Sequence, residues 1–334
     1  MRTQPTPTPT PTPRPTPRRS AAALLTTLLS VPFLGMSAAV SAEEPAWYPS
    51  KYGADDELGS LNLLSPDKVK QAASLIKTGK TYSLGVVTGS TSPAYPPRQY
   101  SMTILQLDDG MGTPLGSNRA TGNDDLMNIW MGIGSQIDGL GHMGVEHVYY
   151  NGNKAADFVH PTGLKKMGTH KLPPMVTRGV LLDMTAHFGK ALLPAGTAFN
   201  SSDIKAAAKA QGLTIEKGDV VLFHTGWLSK SESAPEEFMA GEPGLGVDGA
   251  KYLASLDVMA VGADSWAVEV LPGEVEGELF PVHPELLAKN GIYILENMNT
   301  HELQADKAWE FMFVLGQPKF EGAVQAVINP VAIR

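Results

Sequence analysis

Gly134-Ser135-Gln136-Ile137-Asp138-Gly139-Leu140-Gly141-His142-Met143-Gly144 sets an amide, a carboxylate and an imidazole at positions i, i+2 and i+6 among four glycines. In an extended segment residues i and i+2 face the same side, so Gln136 and Asp138 converge on one point. The glycines let the backbone turn tightly and bring His142 back toward them. Nitrogen and oxygen donors converging from such a turn suit a Zn²⁺ or Mn²⁺ site. An exposed turn with polar residues for solubility is the competing reading.

Working outward, residues 126–131 lead into this stretch as a strand, after a strand at 100–107, a turn at Asp108-Asp109-Gly110 and a long polar loop at 112–125. Upstream, residues 47–64 form an irregular arm. Ser65 as N-cap, Pro66 at the first helical position and Asp67 in the first turn start a helix that ends near Gly79. A strand follows at 82–87 and a Gly/Pro/Ser loop at 88–98. Downstream, the polar segment 149–171 reads as a surface lid or site wall. Strands are expected at 178–184, 218–227, 258–264, 292–297 and 309–315, helices at 202–211, 249–256 and 283–289, and a tail at 322–333. Strands outnumber helices and partly alternate with them, so the expected fold class is α/β in a single domain.

Three polar residues close otherwise apolar strands: His224, Asp264 and Glu296. Side chains at the C-terminal ends of such strands face a common crevice. His283 opens a helix shortly before the Glu296 strand, after an acidic, Gly/Pro-rich loop at 269–278. Structural readings compete at each position: Asp264 with Ser265 caps a turn, His224 is a hydrogen-bonded core residue, and His283-Pro284-Glu285 is a helix start. Glu296 follows Ile292-Tyr-Ile-Leu295, and a carboxylate there demands a cation or a donor.

This constellation resembles the cyclase family of metal-dependent hydrolases, which includes bacterial kynurenine formamidases and isatin hydrolases. The family signature is His-x-Gly-Thr-His-x-Asp-x-Pro-x-His, with a His and a Glu about a dozen residues apart far downstream. Here residues 132–142 occupy the signature, and His283 and Glu296 stand thirteen apart in the downstream place. The resemblance runs from about Trp47 to the C-terminus. It implies a swivelling β/β/α fold and hydrolysis of an amide or ester bond, usually cyclic or formyl. The family's first two histidines are Gly132 and Gln136 here, and its proline is Leu140, which argues against a two-metal site. The phrase Ser-Gln-x-Asp-Gly-Leu-x-His is similar to that of a branch within the family. By resemblance the metal donors are Gln136, Asp138, His142, His283 and Glu296, holding one divalent ion, Zn or Mn. Asp138, His142 and Glu296 carry the chemistry, with His142 as ligand or proton shuttle. His224, Asp264 and His147 line the substrate; His147, with Glu146, stands close enough in sequence to offer a replacement imidazole.

The chain has 334 residues, a net charge of -8 and no cysteine. Disulfides, thiolate metal sites and a cysteine nucleophile are therefore excluded, and the acidic balance leaves no electrostatic footprint for nucleic acid. Residues 1–19 alternate Thr and Pro over much of their length and carry Arg2, Arg14, Arg18 and Arg19 with no acid. An apolar run at 21–40 ends in Val40-Ser41-Ala42, the layout of a signal peptide cleaved after Ala42. Cleavage removes four Arg and no acid, leaving 22 basic and 34 acidic residues, a net charge of -12. The expected organisation is a signal peptide with its leader at 1–42 and a hydrolase domain at 43–334. The mature protein is expected to be periplasmic or secreted, with no stable membrane anchor, and to act as a homo-oligomer (dimer or tetramer) on a small-molecule substrate. A periplasmic binding protein that keeps the fold without catalysis is the alternative. A serine hydrolase is disfavoured, because no Gly-x-Ser-x-Gly elbow is present.

Overall fold

Four apolar runs become four adjacent parallel strands in the computed structural model, which describes residues 46–106 and 112–334. The expected signal segment 1–42 and the Asp108–Gly110 turn lie outside the described residues. In chain order the strands of three or more described residues are β1 (Thr81–Ser83), β2 (Tyr100–Gln106), β3 (Asn123–Ile129), β4 (Gln136–Asp138), β5 (Met175–Asp183), β6 (Val220–His224), β7 (Ala260–Ala263), β8 (Tyr293–Glu296), β9 (Glu310–Leu315), β10 (Gln325–Val327) and β11 (Val331–Ile333). Nine of these form one mixed sheet in the order β1-β11-β9-β5-β6-β7-β8-β4-β10. β2 and β3 pair with each other as a separate ribbon.

β6, β7 and β8 are buried at every residue. That is the state of parallel strands covered on both faces. Parallel neighbours need crossovers. These are supplied by α1 (Ser201–Gln211) before β6, α2 (Val247–Ser255) before β7, and the helical turns Val282–Pro284 and Glu285–Lys289 before β8. α1 starts on a capping box between Asn200 and Asp203 and stops at Gly212 in the left-handed region. Pro45–Arg334 cluster as one unit, in line with a single α/β domain.

Three expectations are corrected. The helix at Ser65 begins as read, with Ser65 Oγ accepting the Lys68 N–H, but it ends at Ala73. Ser74 Oγ donates back to the Gln71 carbonyl, and Ile76 beyond it is exposed, so no buried face rewards further turns. The 322–333 tail contains β10 and β11, which complete the sheet at and near its two ends. Segment 149–171 is no loose lid: Tyr150, Phe158, Leu164 and Met167 are buried in the main core.

Candidate metal centre

β4 is only three residues long, and its neighbours hold it in place. Gly134 sits at φ +70°, and a Cβ there would lie 2.0 Å from Thr88 Oγ1. Ser135 Oγ donates to the Asn297 carbonyl at 2.6 Å and accepts the Val86 N–H at 2.8 Å. Asn297 Nδ2 donates to the Gly134 carbonyl at 3.0 Å. The entry to β4 is thereby latched to the end of β8. Gly134→Ala combines a left-handed backbone with a clash and is expected to destabilise by about 1–3 kcal/mol, measured by urea unfolding. An unchanged midpoint would contradict this.

Antiparallel register sets Gln136 opposite Glu296 on β8, and Asp138 opposite Gln325 on β10. Gln136 Nε2 donates to Glu296 Oε2 at 2.5 Å and lies 3.4 Å from Asp138 Oδ1. Gln325 Nε2 donates to the same Asp138 oxygen at 2.7 Å. Asp138 Oδ2 and Gln136 Oε1 are left buried with no hydrogen-bond partner. His283 Nε2 lies 3.2 Å from Glu296 Oε1 and 3.6 Å from Asp138 Oδ2. His142 is returned by a turn in which its N–H donates to the Gly139 carbonyl at 2.9 Å, and its ring centroid is 5.9 Å from that of His283. Asp138, His142 and His283 each offer one ligand atom, all within 4.8 Å of one another.

This donor set fits a divalent cation. A buried carboxylate oxygen without a donor is costly unless a cation meets it, and mixed imidazole and carboxylate donors suit Zn²⁺ or Mn²⁺. The charges agree. Burial would push the Asp138 carboxyl up, but His142 and His283 outweigh it and hold the group down to about 2. Burial and the Asp138 charge push Glu296 up to about 8. Burial would lower His283, yet Asp138, Glu269 and Glu296 hold it well above the ordinary imidazole value. Two crowded carboxylates that cannot share one charge state without help are what a cation relieves.

The hydrogen bonds of the other expected residues go to partners outside this cluster. Asp264 accepts the N–H and hydroxyl of Thr225 at 2.8 and 2.6 Å and the Gly226 N–H at 2.8 Å, so it ties the turn after β6. His224 Nδ1 bonds Thr300 Oγ1 at 2.8 Å and lies 3.4 Å from Asp264. Glu146 and His147 form the exposed tip of a tight turn between Val145 and Val148, both with positive φ.

Two residues at the cluster escaped the sequence reading. Glu269 is buried and bonds His283 Nδ1 closely, and it accepts the Val282 and His283 N–H groups at 3.1 and 3.2 Å. A carboxylate on the far nitrogen fixes the tautomer and turns Nε2 toward the ligand position. Its signal was hidden because Glu269 heads an acidic Gly/Pro-rich run that reads as solvated loop. Gln325, in the supposed tail, gave no signal at all. Beside His283, Phe280 meets the imidazole edge-on at 5.7 Å, and Tyr95 stacks on Trp266 with centroids 5.8 Å apart.

Known proteins share the fold. A crystal structure of a novel cyclase matches with a TM-score of 0.76 and 28% identity, covering 85% of this chain and 98% of that one. Isatin hydrolase A from Labrenzia aggregata, bound to benzyl benzoate, shares the fold at TM-score 0.56 and 14% identity, covering 78% and 94%. Isatin hydrolase A from Ralstonia solanacearum does so at 0.54 and 16%, covering 76% and 92%. No curated protein matches the sequence. The Cyclase family model matches residues 29–270, well over half of the sequence, and the chain belongs to that family.

Proposed function

We propose that this protein is a metal-dependent hydrolase that opens an amide or ester bond in a small, cyclic or N-formyl substrate: an amide, imide or lactone. The observation that carries the reading is the buried, partnerless Asp138 Oδ2 facing the His142 and His283 nitrogens within one ion's reach. Asp138, His283 and Glu296 would hold one divalent ion, Zn²⁺ or Mn²⁺, with His142 in the same reach and left for proton transfer, and Gln136 Nε2 keeps the two carboxylates at their spacing. The ion supplies Lewis acidity, which makes water a nucleophile near neutral pH and polarises a carbonyl. His142 is half-buried, and among the described residues its ring has no hydrogen-bond partner. It is therefore the group that accepts a proton from the attacking water and delivers it to the leaving nitrogen or oxygen. Tyr95, Trp266 and Phe280 exclude water beside His283. His224 and Asp264 act at one remove, by shaping the turn at the end of β6.

Export to the periplasm or medium is part of the proposal, supported by the signal-peptide layout of residues 1–42. Among the described residues no helix is long and apolar enough to cross a membrane. A homo-oligomer is the proposed assembly. Turnover is tested on a panel of lactones, cyclic imides and N-formyl arylamines. At least one member is expected to be hydrolysed, with activity lost on chelation and restored by Mn²⁺ or Zn²⁺. Hydrolysis that persists after complete chelation would overturn the metal role, and a silent panel with metal bound would favour a binding protein.

A further inference from the structure

Resting on this hydrolytic reading, we infer that Arg98 is the anion-binding group of the site: its guanidinium takes the carbonyl oxygen as that oxygen gains negative charge, and then the carboxylate of the product. Gly132 stands at the position at which the family signature carries its first histidine. A Cβ on Gly132 would lie 2.5 Å from Arg98 Nη1, 2.6 Å from Cζ and 3.1 Å from Nε. The φ of Gly132 is not in the left-handed region, so the backbone does not demand glycine there. What needs the missing side chain is the guanidinium, which fills the volume. An organic cation thus stands against the position from which a further imidazole would begin.

Arg98 Nη1 donates to the Gly132 carbonyl at 2.5 Å. Among the described residues the guanidinium has no other hydrogen bond and no carboxylate partner. A half-buried guanidinium beside a carbonyl, with unused donors, is poised for a planar anion. Its neighbourhood is the metal centre. Gly132 lies four residues before Gln136, the first residue of β4. The Arg98 N–H closes a turn on the Tyr95 carbonyl at 3.0 Å, and Tyr95 stacks on Trp266 in the group that touches His283. The turn 95–98 therefore carries an aromatic ring to the group beside His283 and a cation to Gly132.

The chemistry balances with these parts. The water oxygen bonds to the carbonyl carbon, and the C=O π pair moves onto the oxygen beside Arg98. On collapse that pair re-forms the carbonyl, and the C–N or C–O bond breaks with its electrons on the leaving atom. The leaving atom takes the proton that water gave up. Collapse leaves a carboxylic acid, which releases its remaining water proton to solvent near neutral pH, so transition state and ionised product both present negative charge to Arg98.

The test measures binding without turnover. Protein loaded with Mn²⁺ is titrated calorimetrically with benzoate and with neutral benzamide. Benzoate should bind the wild type more tightly than benzamide, and Arg98→Gln should weaken benzoate by about tenfold or more while leaving benzamide unchanged. Arg98→Lys should retain part of the preference. Gly132→Ala, which displaces the guanidinium without removing its charge, should weaken benzoate too, and it carries the test if Arg98→Gln does not fold. Mn²⁺ affinity should be unchanged or higher in Arg98→Gln, because a neighbouring positive charge is gone. Equal benzoate affinity in wild type and Arg98→Gln, no benzoate preference in the wild type, or loss of Mn²⁺ from Arg98→Gln would each overturn the inference. Failure of the hydrolytic reading shows up separately, as absent turnover with benzoate binding intact.

Discussion

Asp138→Asn protein is expected to retain no divalent ion and to hydrolyse no substrate. Oδ1 of Asp138 is already taken by Gln325 Nε2 at 2.7 Å, so Oδ2, the atom without a partner, is the one left for a cation. Asparagine keeps the shape but halves the acceptor capacity and removes the charge. Metal affinity, measured by competition with a chelator, should fall more than the roughly 100-fold that loss of an outer-shell partner produces. Glu296→Gln should behave alike, and the double variant should be hardly worse than either single one, because the two carboxylates act as a unit on one ion. Thermal unfolding gives an independent readout. Wild type should gain about 2.7 kcal/mol at about 100 times Kd of metal, and the variants should gain nothing, since only a site that binds the ion shifts the folding equilibrium. Stoichiometric metal in Glu296→Gln would mean that the site is built around the histidines alone.

Glu269→Gln carries the second large effect, although Glu269 faces His283 and not the ligand position. In the wild type one carboxylate oxygen accepts His283 Nδ1 and the His283 N–H, and the other accepts the Val282 N–H at 3.1 Å. An amide has one acceptor oxygen for these donors, so either a backbone N–H of the 282–284 turn is orphaned or the imidazole loses its brace. The expected result is a fall in metal affinity of about 10–100-fold with the fold retained. The ¹⁵N shifts of His283 should report a mixed tautomer in the variant and a single Nδ1–H tautomer in the wild type. A purely packing role would lower stability without moving those shifts. Unchanged affinity would remove Glu269 from the machinery.

What the sequence made legible was local or strongly patterned. The i, i+2 alternation of Gln136 and Asp138 needed only a three-residue strand, and that strand is β4. Glu296 stood out because four buried apolar residues precede it, and His283 because it opens a helix after a loop. Gln325 was illegible for the opposite reason. β10 is three residues long, and its contact with Asp138 spans 187 positions, so only the completed sheet brings them together. Glu269 and Arg98 sit in runs rich in Glu and Gly or in Pro, where composition reads as solvated loop. Their roles come from burial and close approach, which no periodicity encodes. Asp264 and His224 stood out by the same pattern as Glu296, yet their hydrogen bonds go to Thr225, Gly226 and Thr300. Standing at the end of a strand does not decide which partner a side chain takes.

The most direct test of the metal centre is elemental analysis of protein purified without added metal, wild type beside Asp138→Asn. The account predicts one tightly held divalent ion per chain, Zn²⁺ or Mn²⁺, in the wild type and none in the variant. A wild-type protein that hydrolyses its substrate while holding no divalent ion, or an Asp138→Asn variant that holds as much as the wild type, would contradict it.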